Sequence, residues 1–498
     1  MPDPNHNPRT VILGGGPAGL SAAFELTRHG CTPLVLETDE VVGGLARTVS
    51  YKGFLFDIGG HRFFTKSTEV QQLWQEILGS SLLKRSRLSR IYYRNRFFLY
   101  PIKAVDALLG VGPWEALRVV ASYLRWHFFP YREVKNFEQY VTNHFGKRLF
   151  EMFFRTYTEK VWGIPCTEIR ADWAAQRIRN LSLMRLVRAA LRGSHGDPIR
   201  SLVEQFSYPE RGPGQMWETL AGRLEAMGHP VLKGRRVAQV CHDGRAVTSV
   251  VTEGKNGIER FEGTHFISSI PMRDLVRALS PAPPEEVLKA AESLRYRDFL
   301  LVGLLVNRED ICPDNWIYVH DPAVRVGRVQ NFKNWSPAMV PNSQQTSLGM
   351  EYFVFENDDL WSSSDSQLID LARREVEHLR LARADEIPDG VVIRMPKAYP
   401  IYDRDWEQHV ATIRGYVEAH LSNLQLVGRN GMHRYNNQDH SMMTAMYAAR
   451  NVMGAGYDLW KVNSEAEYQE EETESRRAPY RPAYAEPPKV TPLPDEGN

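Results

Sequence analysis

The chain has 498 residues, 43% of them hydrophobic, 24% charged and 11% aromatic, which excludes a single small module and a chain dominated by disorder. With 61 basic and 60 acidic residues the net charge is +1, so general electrostatic attraction to nucleic acid or anionic membranes is excluded; an anionic ligand has to be met by locally placed arginines. The four cysteines, Cys31, Cys166, Cys241 and Cys312, form no C-x-x-C pair, so no metal site is assigned and reduced, buried thiols are predicted.

The first ten residues are polar and Pro-rich without an apolar core, and no apolar run approaches the roughly 20 residues of a membrane helix, which predicts a cytoplasmic protein with no stable membrane insertion. Thr10-Val11-Ile12-Leu13 reads as a short strand, Gly14 to Gly19 as a tight turn, residues 20–28 as a helix and 33–37 as a second strand, together a βαβ unit. From about 67 to 192 the pattern is mainly helical, with one hairpin over 91–99, and the block reads as an insertion. Within it, the aromatic stretch 114–131 predicts a core helix, because its arginines and His127 interrupt a membrane-surface pattern. After Gly212 come a helix, alternating strands at 237–240 and 247–251, and the continuous apolar run 299–306, which predict a second sheet. A glycine turn at 427–429 and a closing helix at about 441–453 return the chain to its first domain. Residues from 464 on are acidic and then Pro-rich, a mobile composition, and no internal repeat is found.

In Gly14-x-Gly16-x-x-Gly19 the glycines permit the tight turn, the approach of backbone to a pyrophosphate and the packing of helix on strand. Pro17 and Ala18 open the helix, whose N-terminus faces the phosphates, and Glu37 closes the second strand where ribose hydroxyls would lie. This fingerprint alone does not separate NAD from FAD. Gly43-Gly44-Leu45-Ala46-Arg47-Thr48 adds a second glycine turn carrying a cation, and Phe56-Asp57-Ile58-Gly59-Gly60-His61 a third glycine-rich approach. These segments resemble the glutathione-reductase-like FAD superfamily, in its amine oxidase, desaturase and mutase branch. The resemblance implies an α/β protein: a Rossmann-like FAD-binding domain (1–66, 205–275 and 420–460), a mainly helical inserted domain (67–204), an antiparallel-sheet substrate domain (276–419) and a flexible tail (461–498).

Further segments resemble the UDP-galactopyranose mutase family over most of the chain. They are Gly59-Gly60-His61, Tyr157-Thr158-Glu159-Lys160-Val161-Trp162, Trp173 to Arg177, Trp316-Ile317-Tyr318 with Arg328, Lys397-Ala398-Tyr399-Pro400, and Tyr435 with the following Asn436-Asn437-Gln438. The resemblance implies that Gly44 and Arg47 bind the cofactor, Arg47 at its pyrophosphate or flavin side, and that Gly60, His61, Gly428, Arg429, Asn437 and Gln438 surround the flavin. It also implies that Tyr157, Trp162, Arg177, Tyr318, Arg328, Tyr399 and Tyr435 hold a UDP-linked nucleotide sugar, with the arginine pair flanking its diphosphate. Arg177, Arg328, Tyr318, Tyr399, Tyr435 and His61 are then the catalytic set, and the reaction is a pyranose–furanose interconversion through an adduct of the sugar with N5 of reduced FAD. Departures stand out at Phe64, where bacterial mutases carry a second histidine, at residues 102–105, and at Thr158. No counterpart of the fungal nicotinamide-contact arginine is found around Arg90 to Arg96, which leaves NADPH or NADH open as reductant. The alternative is an FAD oxidoreductase of the amine oxidase, protoporphyrinogen oxidase or desaturase type.

Overall fold

The computed structural model describes residues 9–100, 110–171, 205–255 and 257–463. Arg9–Leu13 and Thr32–Leu36 are apolar runs buried at four of five positions, the pattern of strands covered on both faces. They lie within a five-stranded parallel sheet ordered Leu424–Leu426, His265–Ser268, Arg9–Leu13, Thr32–Leu36, Val231–Leu232. The helix Pro17–Arg28 connects the first two strands and packs on the closing helix Gln438–Val452. Both helices begin three residues before their expected starts, so the fingerprint residues Pro17 to Gly19 are themselves the first helical turn. The α/β class and the return of the chain to its first sheet are as expected.

A seven-stranded sheet forms the second layer, ordered Asp389–Pro400, Tyr296–Val306, Thr346–Val354, Arg328–Asn331, Trp316–Val319, Ser89–Tyr93, Arg96–Leu99. Tyr296–Val306, which contains the expected apolar run 299–306 and starts three residues before it, is buried at every position and pairs antiparallel with a long strand on each side. The expected hairpin turns through Arg94 and Asn95, at φ 49° and 61°, a left-handed pair that suits the twist of the flanking strands. Its strand Ser89–Tyr93 then pairs parallel with Trp316–Val319, so a local hairpin extends the large sheet.

Beside the sheet lie the helices Phe137–Phe145 and Thr156–Trp162, the latter entered through a π-helical turn, Glu151–Arg155. The expectation of a core helix over 114–131 is overturned. The helix Pro113–Phe128 buries only Val119 and Tyr123 and leaves Trp114, Leu117 and Phe128 exposed; it carries more than one apolar stripe, and only one is covered. Of the four cysteines, all free, Cys31 and Cys166 are buried as expected, whereas Cys241 and Cys312 are half-buried. Among the described residues no helix is long and apolar enough to cross a membrane. The tail composition noted above lies outside the described residues.

Candidate active site

The first half of the site is made of backbone. Gly14, at φ 105°, donates its N–H to Leu36 O at 2.8 Å, which ties the turn to the end of the second strand. A Cβ at Gly19 would lie 1.8 Å from Gly14 O, so only glycine lets the helix start this close to the strand. That helix starts with Pro17 and has no side-chain cap, which leaves its first N–H groups for a ligand. Gly43 N–H donates to Gly15 O at 2.9 Å, and Gly44 brings its backbone within 4 Å of where a Cβ on Gly16 would sit. The carboxylate of Glu37 accepts from Gly15 N–H at 2.6 Å and Asp39 N–H at 2.8 Å; burial raises its pKa and these two donors oppose the rise. Arg47 pairs with Asp39.

The C-terminal turn closes on this cradle. Gly428, at φ 77°, would place a Cβ 3.0 Å from Ala18 Cβ, so the turn sits directly on the first helical residues. Asn437 caps the closing helix in a capping box with His440, and Gln438 accepts from Trp217 Nε1 at 3.1 Å. A concave run of glycines, an uncapped helix start and an acidic strand end fit a dinucleotide.

The second half is made of side chains set by sheet register. Tyr318 lies opposite Arg328, and Arg328 opposite Glu351, on three adjacent strands, so the three stand in one row across the sheet. Glu351 is fully buried and accepts from Arg328 Nε at 2.5 Å and from Gln330 Nε2 at 2.7 Å. Desolvation is the largest influence and works against the Arg328 cation, but Glu351 together with Tyr157, Tyr399 and Tyr318 outweighs it, and the guanidinium pKa lies well above its ordinary value. Burial raises the Glu351 carboxyl, held back by Arg328. The other edge of Arg328 faces the Gly59-Gly60-His61 loop, Nη2 lying 3.7 Å from where a Cβ on Gly59 would sit.

His61 Nδ1 lies 3.0 Å from Gly59 O; a carbonyl only accepts, so the proton is on Nδ1 and Nε2 is left as an acceptor. Burial, and then the nearby Arg429 and Arg328, lower the His61 pKa to about 4, so the ring is neutral at pH 7. Tyr157 packs edge-on against Tyr318 at 5.3 Å and stacks on His320 at 4.9 Å. Tyr399 stacks with Tyr435 at 5.9 Å, and the Arg429 guanidinium lies 5.6 Å and 4.8 Å from the two ring centres. Trp162 lies 6.4 Å from Tyr435.

The two halves meet at His61 and Arg429, and the structure gathers Tyr157, Trp162, Tyr318, Arg328, Tyr399 and Tyr435 around them. Arg177 lies outside the described residues. Two residues of this chamber escape sequence reasoning. Glu351 is the lone acid in the buried strand Thr346–Val354, and that isolation is the signal that could have found it. Lys160, inside the Tyr157 to Trp162 segment, donates to Asp321 O at 2.7 Å and Val326 O at 3.1 Å. It thereby pins the loop beyond Tyr318 against the helix of Tyr157, and desolvation lowers its pKa to about 8.

Fold and site together define a dinucleotide-binding α/β protein with a half-buried arginine–tyrosine chamber beside the cofactor loop. The chain belongs to the flavin-containing amine oxidoreductase family, whose model matches residues 17–415, and it is a flavoenzyme of that family. Its fold is similar to that of a reduced UDP-galactopyranose mutase, with a TM-score of 0.80 at 23% identity over 92% of this chain and 98% of the other. It is also similar to a putrescine oxidase variant, with a TM-score of 0.60 at 14% identity over 90% of this chain and 99% of the other. An L-amino-acid oxidase from Crotalus adamanteus is 45% identical over 64 residues, 13% of this chain and 12% of that protein. The first curated relatives are matched over only 8% to 51% of their own length.

Proposed function

We propose that this flavoenzyme is a mutase that interconverts the pyranose and furanose forms of a nucleotide sugar, with a UDP-sugar as the substrate class. One observation carries the reading: Arg328, held at Nε by buried Glu351, turns its other edge to the Gly59–His61 loop inside a ring of four tyrosines. A fixed guanidinium with hydroxyl donors around it suits a diphosphate that leaves and returns beside a cofactor.

Gly14, Gly16, Pro17, Ala18 and Gly19 would hold the FAD pyrophosphate, Glu37 the ribose, and Gly44, Arg47, Gly60, His61, Gly428, Arg429, Asn437 and Gln438 the flavin side. When bound and reduced, a flavin supplies a nucleophile toward an anomeric carbon without net redox change. The chain's own work is then positioning and charge stabilisation. Arg328, with Arg177 as its proposed partner, holds the diphosphate; Tyr318, Tyr399 and Tyr435 orient it, and Tyr157 and Trp162 shape the nucleotide side. Neutral His61 would offer Nε2 as an acceptor toward the flavin. NADPH or NADH is the proposed electron source.

The test is anaerobic turnover of UDP-galactopyranose and UDP-galactofuranose with dithionite-reduced protein. Interconversion without net use of reductant is expected, and Arg328→Ala should lower kcat/KM by about 10²–10³. Hydrogen peroxide or a desaturated product formed at substrate stoichiometry would instead establish an oxidase, as the name of the matched L-amino-acid oxidase suggests.

A further inference from the structure

The helix Pro113–Phe128 has an inner and an outer apolar stripe. Val119 and Tyr123 face the cluster of Ile91, Phe98 and Phe137. On the outside, Trp114, Leu117, Val120, Leu124 and Phe128 are exposed by 67%, 59%, 41%, 44% and 69%, and Phe129 just beyond by 76%. At about 100° per residue these five helical positions fall within one arc of roughly 120°. Among the described residues thirteen large hydrophobics are exposed, and nine of them lie between residues 99 and 134. The apolar surface is therefore gathered on one face, and contiguous patches of that kind mark interaction sites.

The same face is basic. Arg118 and Arg125 follow one flank of the stripe, both exposed. At the start of the helix stands the hairpin tip, where Arg94 and Arg96 are exposed and Arg96 donates to Gly110 O. Arg132 and Lys135 follow the helix end; Lys135 pairs at 3.1 Å with Glu133, the one exposed acid described between residues 94 and 135, and Arg118 lies 3.8 Å from half-buried Glu115. Among the described residues this leaves Arg94, Arg96, Arg125 and Arg132 with no acid in ion-pair contact on this face. In a chain of net charge +1 this is a local excess of cations around an aromatic stripe.

We propose that this face docks reversibly on an anionic phospholipid bilayer, the helix lying in the headgroup plane with its aromatic stripe inward. Tryptophan and phenylalanine suit that boundary, and arginine stems reach along it while their heads stay at the phosphates. A second copy of the chain fits less well, because a twofold pairing of the stripe would set arginine rows against each other with few acids to oppose them. The proposal stands apart from the mutase reading.

Flotation of the full-length flavin-loaded protein with vesicles tests it. Binding is expected to vesicles of phosphatidylglycerol and phosphatidylcholine, weakened by added salt, and not to phosphatidylcholine alone. The Leu117→Ser/Leu124→Ser/Phe128→Ser variant and, separately, Arg118→Glu/Arg125→Glu should each bind about tenfold or more weakly, with flavin absorbance retained as the check of folding. All replaced side chains are exposed, so the charge-reversal variant keeps the test open if the apolar one misfolds. Failure of the unaltered protein to float, or charge-reversed protein that floats equally well, overturns the proposal. So does a dimer in light scattering that the apolar variant dissolves while no vesicles are bound.

Discussion

The glycine cradle and the tyrosine chamber both face the Gly59–His61 loop, yet they are built in opposite ways. In the cradle every contact uses a backbone atom of one contiguous unit: Gly14 N–H bonds to Leu36 O, Gly15 N–H to the Glu37 carboxylate, and Gly19 closes on Gly14 O. In the chamber they belong to side chains from distant strands and helices, aligned because Tyr318, Arg328 and Glu351 share one register row. A backbone site is sensitive to any added atom, whereas a side-chain site is sensitive to the loss of a partner.

The sharpest way to break this contrast is Gly19→Val. Its Cβ would sit 1.8 Å from Gly14 O, so the helix must shift, at a cost of about 3 kcal/mol or more. The purified protein is expected to be colourless, as read by flavin absorbance; a yellow protein of ordinary stability would mean that the close approach is not required.

In the chamber, Glu351→Ala removes a partner and leaves the Arg328 cation with no counter-ion on its Nε side. The expected loss is about 3–5 kcal/mol in chemical denaturation, toward the lower end because Arg328 keeps 18% of its side-chain exposure. Glu351→Gln, which retains an acceptor, should recover part of that stability but not the orientation of Arg328, so its deficit should appear mainly in kcat/KM for the nucleotide sugar.

This construction explains what the sequence made legible. The cradle could be read directly, since its glycines, helix start and acidic strand end follow one another in chain order. Tyr157, Trp162, Tyr318, Arg328, Tyr399 and Tyr435 were reached only through family resemblance; no spacing rule brings Tyr157 beside Tyr318 or Tyr399 beside Tyr435. Glu351 and Lys160 were missed because their partners are set by strand register and by a loop 159 residues or more away. The outer helix Pro113–Phe128 was misread for another reason: periodicity identifies apolar positions but not which stripe a neighbour will cover.

Asp57 ends the strand Phe54–Asp57, which leads into the loop between the two regions. Its carboxyl accepts from Thr48 Oγ1 at 2.8 Å and from Tyr208, and burial raises its pKa from 3.8 to about 7. The folded state thus keeps a proton that the unfolded chain releases near its ordinary value. Stability from this group is present below about pH 4 and declines as pH rises to about 7, by at most about 4 kcal/mol. Asp57→Asn should flatten that slope in denaturation curves measured across the window, and an unchanged slope would place the proton elsewhere.

The smallest effect is expected at His61, where the sign is reversed. Its pKa is lowered from 6.5 to about 4, so its contribution to stability is complete above about pH 6.5 and is lost as pH falls toward 4, by at most about 3 kcal/mol. At neutral pH the ring carries no charge, and the proposed mutase activity should show no inflection near pH 6.5 from this residue. A proton-detected titration of the His61 ring should find it neutral down to about pH 5; titration at the ordinary value would mean that the loop is open to solvent. The desolvation that strengthens the arginine–tyrosine contacts beside this loop would then be weaker, and the contrast with the cradle would reduce to one between two surface sites.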